Sequence, residues 1–156
     1  MFIQTNRCVI RNMTWKDEHA LYEILSDPEV MAYLEPPFSK EQTKDFLRDV
    51  GLSEQPLIYS VCHKEDACMI GYLIFHPYEV DIYELGWVLN KKYWHMGIAE
   101  ELTQEVVRYA KQEKIPAVVI ECVPEQKASI AIAEKNGFSF CGTQERCNVY
   151  RLNLNK

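Results

Sequence analysis

Neither a Gly-x-Gly-x-x-Gly run nor a Walker lysine pattern occurs in the 156 residues, which disfavours a protein built to hold ATP or a dinucleotide. Positive charge is in short supply as well. Seventeen Lys and Arg stand against twenty-three Asp and Glu, a net charge of −6, whereas a binder of nucleic-acid phosphates needs a basic face. No nucleic-acid partner is expected. The six cysteines (Cys8, Cys62, Cys68, Cys122, Cys141, Cys147) include no C-x-x-C pair and face no matching histidine pair, so no metal is expected. No apolar run approaches the roughly 20 residues that cross a bilayer. The first residues, Met1 to Arg7, lack the long apolar segment of a signal peptide. No membrane association is expected, and free thiols in a reducing cytoplasm follow.

What is present is the composition of one globular domain, 47% hydrophobic and 26% charged. The pattern predicts a single domain over residues 1–156. A first strand is expected over about Gln4–Asn12, with Cys8 and Ile10 on one face. Thr14 and Asp17 suit a helix start, the helix running to about Ser26 on Leu21, Ile24 and Leu25. Asp27-Pro28 reads as the cap and first position of a short helix reaching Leu34. Ser39-Lys40-Glu41-Gln42 is a capping box opening a further helix that Gly51 closes.

From Pro56 the period changes to that of strands. Leu57–His63 and Met69–Phe75 read as a hairpin, with His76-Pro77 expected to break its second strand. A strand over Ala117–Cys122, a helix over about Gln126–Lys135 stopped at Asn136-Gly137, and strands over about Phe138–Thr143 and Cys147–Leu154 complete the chain.

The organising stretch runs from Tyr83 to Ala110. Tyr83-Glu84-Leu85-Gly86-Trp87-Val88-Leu89 suits a strand buried on both faces. Lys91 and Lys92 make the following turn basic, and Gly97 permits close approach to the backbone. Ile98, Leu102, Val106 and Tyr109 then recur as one helix stripe. Strand, glycine-bearing turn and helix aim free N–H groups and a helix dipole at one spot, which suits phosphate or pyrophosphate.

Two motifs resemble the GNAT superfamily of N-acetyltransferases, in the branch of ribosomal-protein N-terminal acetyltransferases. One is Glu84 to Leu89 followed by Tyr93-Trp94-His95-Met96-Gly97-Ile98-Ala99-Glu100-Glu101-Leu102. The other is Ser129-Ile130-Ala131-Ile132-Ala133-Glu134-Lys135-Asn136-Gly137-Phe138. The resemblance spans essentially the whole chain. It implies an α/β (α+β) GNAT fold, a mixed, mostly antiparallel sheet of six to seven strands splayed around the central strand, with helices on both faces. It implies acetyl-CoA as cosubstrate and direct acetyl transfer to a primary amine, either a small amine or a protein N-terminus, by a monomer or homodimer. The alternative is a catalytically silent acyl-CoA sensor or scaffold.

The family's phosphate loop is commonly Arg/Gln-x-x-Gly-x-Gly/Ala. Here Lys92 holds the first position and His95 that of the first glycine. Where the family often has Asn-x-x-Ser before the second helix, this chain has Gln126-x-x-Ser129.

Acetylating an ammonium requires a base. Glu84, a carboxylate in an otherwise apolar strand, is the candidate, since desolvation favours its proton-bound form. Gly86 suggests a bulge or a close packing contact. By resemblance, the strand bulges nearby and an N–H of Val88 or a neighbour, within Trp87, Val88 and Leu89, points at the thioester oxygen. Lys92, His95, Met96, Gly97, Ile98 and Ala99 form the implied pyrophosphate cradle, with Gln126 and Ser129 at the cofactor's other side. Ser129 is the candidate acid for the departing sulfur, or else a serine capping its own helix. Tyr33, Glu35 and Phe38, in the loop that lines the family's acceptor site, are the candidate substrate contacts.

Overall fold

A computed structural model describes residues 1–155. In chain order the elements are β1 (Ile3–Gln4), β2 (Cys8–Arg11), a 3-10 turn (Trp15–Asp17), α1 (Glu18–Leu25), α2 (Lys40–Phe46) and a π-helical turn (Leu47–Gly51). Next come β3 (Ile58–His63), β4 (Cys68–Glu79), β5 (Ile82–Leu89), a 3-10 turn (Lys91–Tyr93) and α3 (Ile98–Gln112). β6 (Ala117–Cys122), α4 (Lys127–Lys135), β7 (Ser139–Gln144) and β8 (Cys147–Asn153) follow. All strands lie in one eight-stranded sheet of order β1-β2-β3-β4-β5-β6-β8-β7. Only β5 and β6 pair in parallel; every other neighbouring pair is antiparallel.

Helices cover both faces. Ile98, Leu102, Val106 and Ala110 of α3 pack with Ala133 of α4 on Ile10, Val61, Leu73, Leu85, Val118 and Ile120 of the sheet. On the other face Leu21, Ile24 and Leu25 of α1 and Leu47 pack on Ile58, Tyr72 and Val88. Burying each such aliphatic side chain contributes about 1.5–3 kcal/mol before conformational entropy is counted.

The GNAT architecture expected from the motifs is present, with three local corrections. Eight strands replace the six or seven expected, because the first strand divides into β1 and β2. Thr5 turns the chain there: its N–H donates to Cys8 O at 2.9 Å, and its Oγ1 accepts from Cys8 N at 2.9 Å. No helix forms over 27–34. The Asp27 carboxylate accepts from Glu29 N, and single turns follow, Met31 N to Asp27 O and Leu34 N to Met31 O; a side chain competing for local N–H groups favours turns over a helix. Finally, β4 runs through His76-Pro77 to Glu79. Phe75 N donates to Leu57 O on the β3 side, so alternation directs the absent N–H of Pro77 to that side too, past the start of β3. A proline there removes no ladder bond.

One buried carboxylate ties the α1 end to the sheet. Asp17 receives both terminal nitrogens of Arg11 at 2.9 and 2.8 Å, Thr14 N at 2.9 Å and Ser60 Oγ at 2.9 Å. Burial alone raises its pKa, but these donors outweigh burial and leave it below the ordinary value. A depressed carboxylate contributes stability that is present above its unfolded pKa and is lost as pH falls through the folded one. Unfolding free energy should therefore decline as pH drops below about 4. Asp17→Asn should cost on the order of 2 kcal/mol at pH 7 and flatten that acid slope, as measured by urea unfolding at several pH values.

Candidate active site

β5 and β6 pair at three positions only: Ile82 with Ala117, Tyr83 with Val118 and Glu84 with Val119. Beyond them the strands part, although β5 continues to Leu89 and β6 to Cys122. Alternation decides which backbone groups line the gap. Asn90 N donates to Ile70 O, so even-numbered residues of β5 point their N–H and C=O at β4, and Trp87 points its own toward the gap. Leu154 N donates to Pro116 O, so even-numbered residues of β6 face β8 and Glu121 faces the gap. Trp94 Nε1 donates to Leu89 O at 2.9 Å, closing the upper end of β5. The gap thus presents unpaired strand edges on both sides.

The bulge expected nearby does not fall beside Gly86. β4 and β5 stay in register from Gly71–Leu89 to Pro77–Tyr83, and the irregularity lies between Pro77 and Glu79. Ile74 crowds this position instead: a Cβ on Gly86 would lie 3.2 Å from Ile74 Cδ1, so that side chain would have to give by a few tenths of an ångström. With the strand regular, the N–H groups of Trp87 and Leu89 face the gap, and the N–H of Val88 faces β4.

The mouth of the gap is the start of α3. Gly97 stands at its N-cap with φ +79°, a left-handed conformation natural to glycine. Glu101 N donates to Gly97 O, while the N–H groups of His95, Met96, Gly97, Ile98, Ala99 and Glu100 meet no protein acceptor among the described residues. Such a concentration of free donors at the positive end of a fifteen-residue helix fits an anion. His95 has φ +62°, which explains why the family commonly places glycine there; this chain carries the strain on a histidine. Lys92 is exposed, whereas Lys91 is tied to Glu29 at 3.2 Å and Asp27 at 3.7 Å.

The start of α3 is anchored from the N-terminal hairpin. Glu101 accepts from Thr5 Oγ1, from Arg7 N at 2.7 Å and from Arg7 Nε at 2.8 Å. Burial raises the pKa of Glu101, but these donors prevail and hold it below the ordinary value. A Cβ on Gly97 would lie 3.5 Å from the Arg7 guanidinium.

The candidate base and acid lie on opposite faces of the sheet. Glu84 alternates with Val88, on the α1 face, and stands directly across from His76 on β4. Glu84 Oε1 is 3.3 Å from His76 Nε2, and both side chains are about one-fifth exposed, 22% and 21%. Glu121 of β6 shares this face. Burial and the Glu121 carboxylate raise the pKa of Tyr78, whose hydroxyl donates to Gln144. Ser129 belongs to α4, on the α3 face; its half-buried hydroxyl makes no hydrogen bond within the described residues, so it does not cap its helix. Gln126 uses Oε1 to accept from Val123 N at 2.9 Å, bracing the loop after β6.

The three candidate acceptor contacts separate. Tyr33 lines a cleft of about 390 Å³ with Leu34, Val123, Pro124, Glu125 and Arg146, one residue beyond the end of β6. Glu35 is exposed, close enough to Tyr72 for its charge to help raise that buried phenol's pKa after desolvation. Phe38 packs edge-on against Phe46 at 5.7 Å, at the margin of the α1-side core. His76, Glu121 and Arg7 escaped the reading of the sequence. The only available signal for His76 was the alternation that carries β4 through Pro77.

A mixed sheet that splays between two parallel strands, with helices on both faces, is the architecture of the GNAT class of acetyltransferases. The profile of the Acetyltransferase (GNAT) domain matches residues 7–139. An uncharacterized N-acetyltransferase of Bacillus subtilis (strain 168), YnaD, is 32% identical over 150 residues, covering 94% of this chain and 88% of the relative. A GNAT-family acetyltransferase of Bacillus anthracis superposes with a TM-score of 0.89 at 29% identity, over 99% of each chain. RimL, a ribosomal L7/L12 alpha-N-protein acetyltransferase solved with coenzyme A, shares the fold at TM-score 0.81 and 20% identity, over 99% of this chain and 98% of RimL. The chain belongs to the GNAT acetyltransferase family, whose members use acetyl-CoA.

Because His95 holds a left-handed conformation that costs a non-glycine residue about 1–2 kcal/mol, His95→Gly should leave stability unchanged or raise it by about 0.5 kcal/mol. His95→Val should lower it by at least about 1 kcal/mol, β-branching being least tolerated there. Chemical denaturation of the three proteins checks both.

Proposed function

We propose that the protein transfers the acetyl group of acetyl-CoA directly to a primary amine, either a small amine or a peptide N-terminus. The observation that carries this reading is the parting of β5 and β6 between an anion cradle on one side and Glu84 on the other. Free N–H groups at residues 95–100 would hold the pyrophosphate, with Lys92 adding charge beside it. The edges of Trp87 and Glu121 would pair with the amide-bearing arm, as an added strand pairs with a sheet edge. Gln126 and Ser129 would flank that arm from the α4 side.

In this reading, Glu84 takes a proton from the acceptor ammonium, directly or through water, and frees the amine lone pair. The Trp87 N–H donates to the carbonyl oxygen as negative charge develops there. Ser129 donates a hydrogen bond or proton to the sulfur as the C–S bond breaks. Of the three candidate acceptor contacts, Tyr33 would meet the amine in the 390 Å³ cleft it lines just past the end of β6, with Glu35 and Phe38 on the loop that follows. No covalent acyl-enzyme is required, because the amine attacks the thioester itself.

Calorimetric titration with acetyl-CoA and CoA, with ATP and NAD as controls, tests the cradle. Micromolar binding of the first two alone is expected. Gly97→Glu, which sets a carboxylate among the free N–H groups, should weaken acetyl-CoA binding at least about tenfold; unchanged affinity would refute the cradle. Glu84→Gln should keep CoA affinity and lose most amine-dependent thiol release, and full turnover in that variant would remove Glu84 as base.

A further inference from the structure

His76 has no part in the reaction just described, yet it is the residue that meets Glu84. The two are cross-strand partners in a pair whose backbones are hydrogen-bonded to each other, so their side chains rise side by side from one face. The ring's other nitrogen is committed: His76 Nδ1 lies 2.8 Å from Pro77 O. A carbonyl oxygen only accepts, so Nδ1 carries a proton. A neutral His76 is therefore the Nδ1–H tautomer, with the bare lone pair of Nε2 facing Glu84 Oε1 at 3.3 Å. Two acceptors at that distance repel unless a proton lies between them.

We propose that His76 and Glu84 work as a dyad in which His76 is the positioning residue and stores, at Nε2, the proton that Glu84 takes from the acceptor amine. This rests on Glu84 being the base. In the proton-free dyad two lone pairs face each other, so a proton brought to Oε1 can be shared with Nε2. An ammonium N–H bond breaks, its proton passes to Glu84, and it comes to rest between Oε1 and Nε2 as an imidazolium–carboxylate pair. The freed amine attacks the thioester carbon, the C–S bond breaks, and the second amine proton leaves with the thiol. The dyad then returns its proton to solvent.

The surroundings support proton storage at His76. Its pKa is raised above the ordinary histidine value, first by the hydrogen bond to Glu84, against the opposing effect of burial, and further by Pro77 O and by the charges of Glu84 and Glu121. The groups packed around the dyad are acidic or neutral. Glu84 comes from β5, Glu121 from β6, Tyr78 and Glu79 from the same strand, and Cys147 of β8 senses both Glu84 and Glu121. The cations on this face stand farther along it: Arg151 of β8, cross-strand from Val119 with its Nε on Asn153 Oδ1, and Arg146, which acts on Cys147; neither is among the charges that act on His76. On the remaining side, β3 has not yet begun at the level of His76.

The decisive experiment needs no acceptor. Long-range proton–nitrogen spectra of the four histidines are recorded against pH in wild type and Glu84→Gln, with His76→Gln assigning the signal. In wild type His76 should titrate above about 6.5, and its high-pH form should be the Nδ1–H tautomer. In Glu84→Gln the midpoint should fall by about one pH unit. An Nε2–H tautomer in wild type, or the same midpoint in both proteins, overturns the dyad.

Transfer to spermidine and to a tetrapeptide with a free N-terminal serine gives the kinetic arm. The acid limb of kcat/KM should move down in His76→Gln toward the carboxylate range, with the KM for acetyl-CoA unchanged. An unmoved limb alongside an inactive Glu84→Gln overturns the dyad and leaves the base assignment standing; an active Glu84→Gln overturns both. If neither amine is acetylated, the spectra alone decide.

Discussion

The site depends on two parallel strands failing to stay together. A sheet buried beneath helices normally satisfies every N–H and C=O along its strands, because unpaired backbone groups are costly away from water. β5 and β6 do so for three residues and then part. What forces the parting is not local to either strand. β5 is held in register by β4 along nearly its whole length, and β6 is held as firmly by β8. Trp94 then fills the upper end, its ring packed among residues of both cores and its indole N–H spent on Leu89 O. The open edges at Trp87 and Glu121 are thus maintained by neighbours, and a ligand meets a slot that needs little reorganisation, which lowers the cost of binding.

The same separation distributes the chemistry. Because side chains alternate along a strand, one strand offers a carboxylate to one face and apolar packing to the other, while its main chain serves the gap between. Glu84 and Glu121 face the α1 side; Leu85, Leu89, Val118 and Ile120 seal the α3 side. In the proposed reaction the acceptor and the acyl donor would therefore approach one short opening from opposite sides and would not compete for the same wall.

Most of this was legible wherever the signal was local. The run from Tyr83 to Ala110 contains its own strand, turn, glycine and amphipathic helix, so its structure could be read from consecutive residues. Caps at Thr14 and Ser39 were equally plain, since a capping box needs four neighbouring residues and nothing else. Errors arose where a local rule met a distant fact. Pro77 breaks a strand only when its N–H would have been used, and that depends on where β3 begins. Gly86 marks either a bulge or a crowded neighbour, and only the position of Ile74 decides between them. The partnership of His76 with Glu84 required knowing the hairpin register, and that of Arg7 with Glu101 required knowing that residues 94 positions apart meet.

That last contact has a consequence for how the molecule comes into being. The first turn of α3 is braced by Thr5 and Arg7, yet their partner Glu101 leaves the ribosome 94 residues after Arg7. Contacts of such long sequence separation form late, once their loop-closure entropy has been met by other packing. Through that interval the segment around Arg7 can pair with β3 but not yet with Glu101. The anion cradle is accordingly among the last parts to be finished, and acquires its shape only when the two ends of that loop have closed on each other.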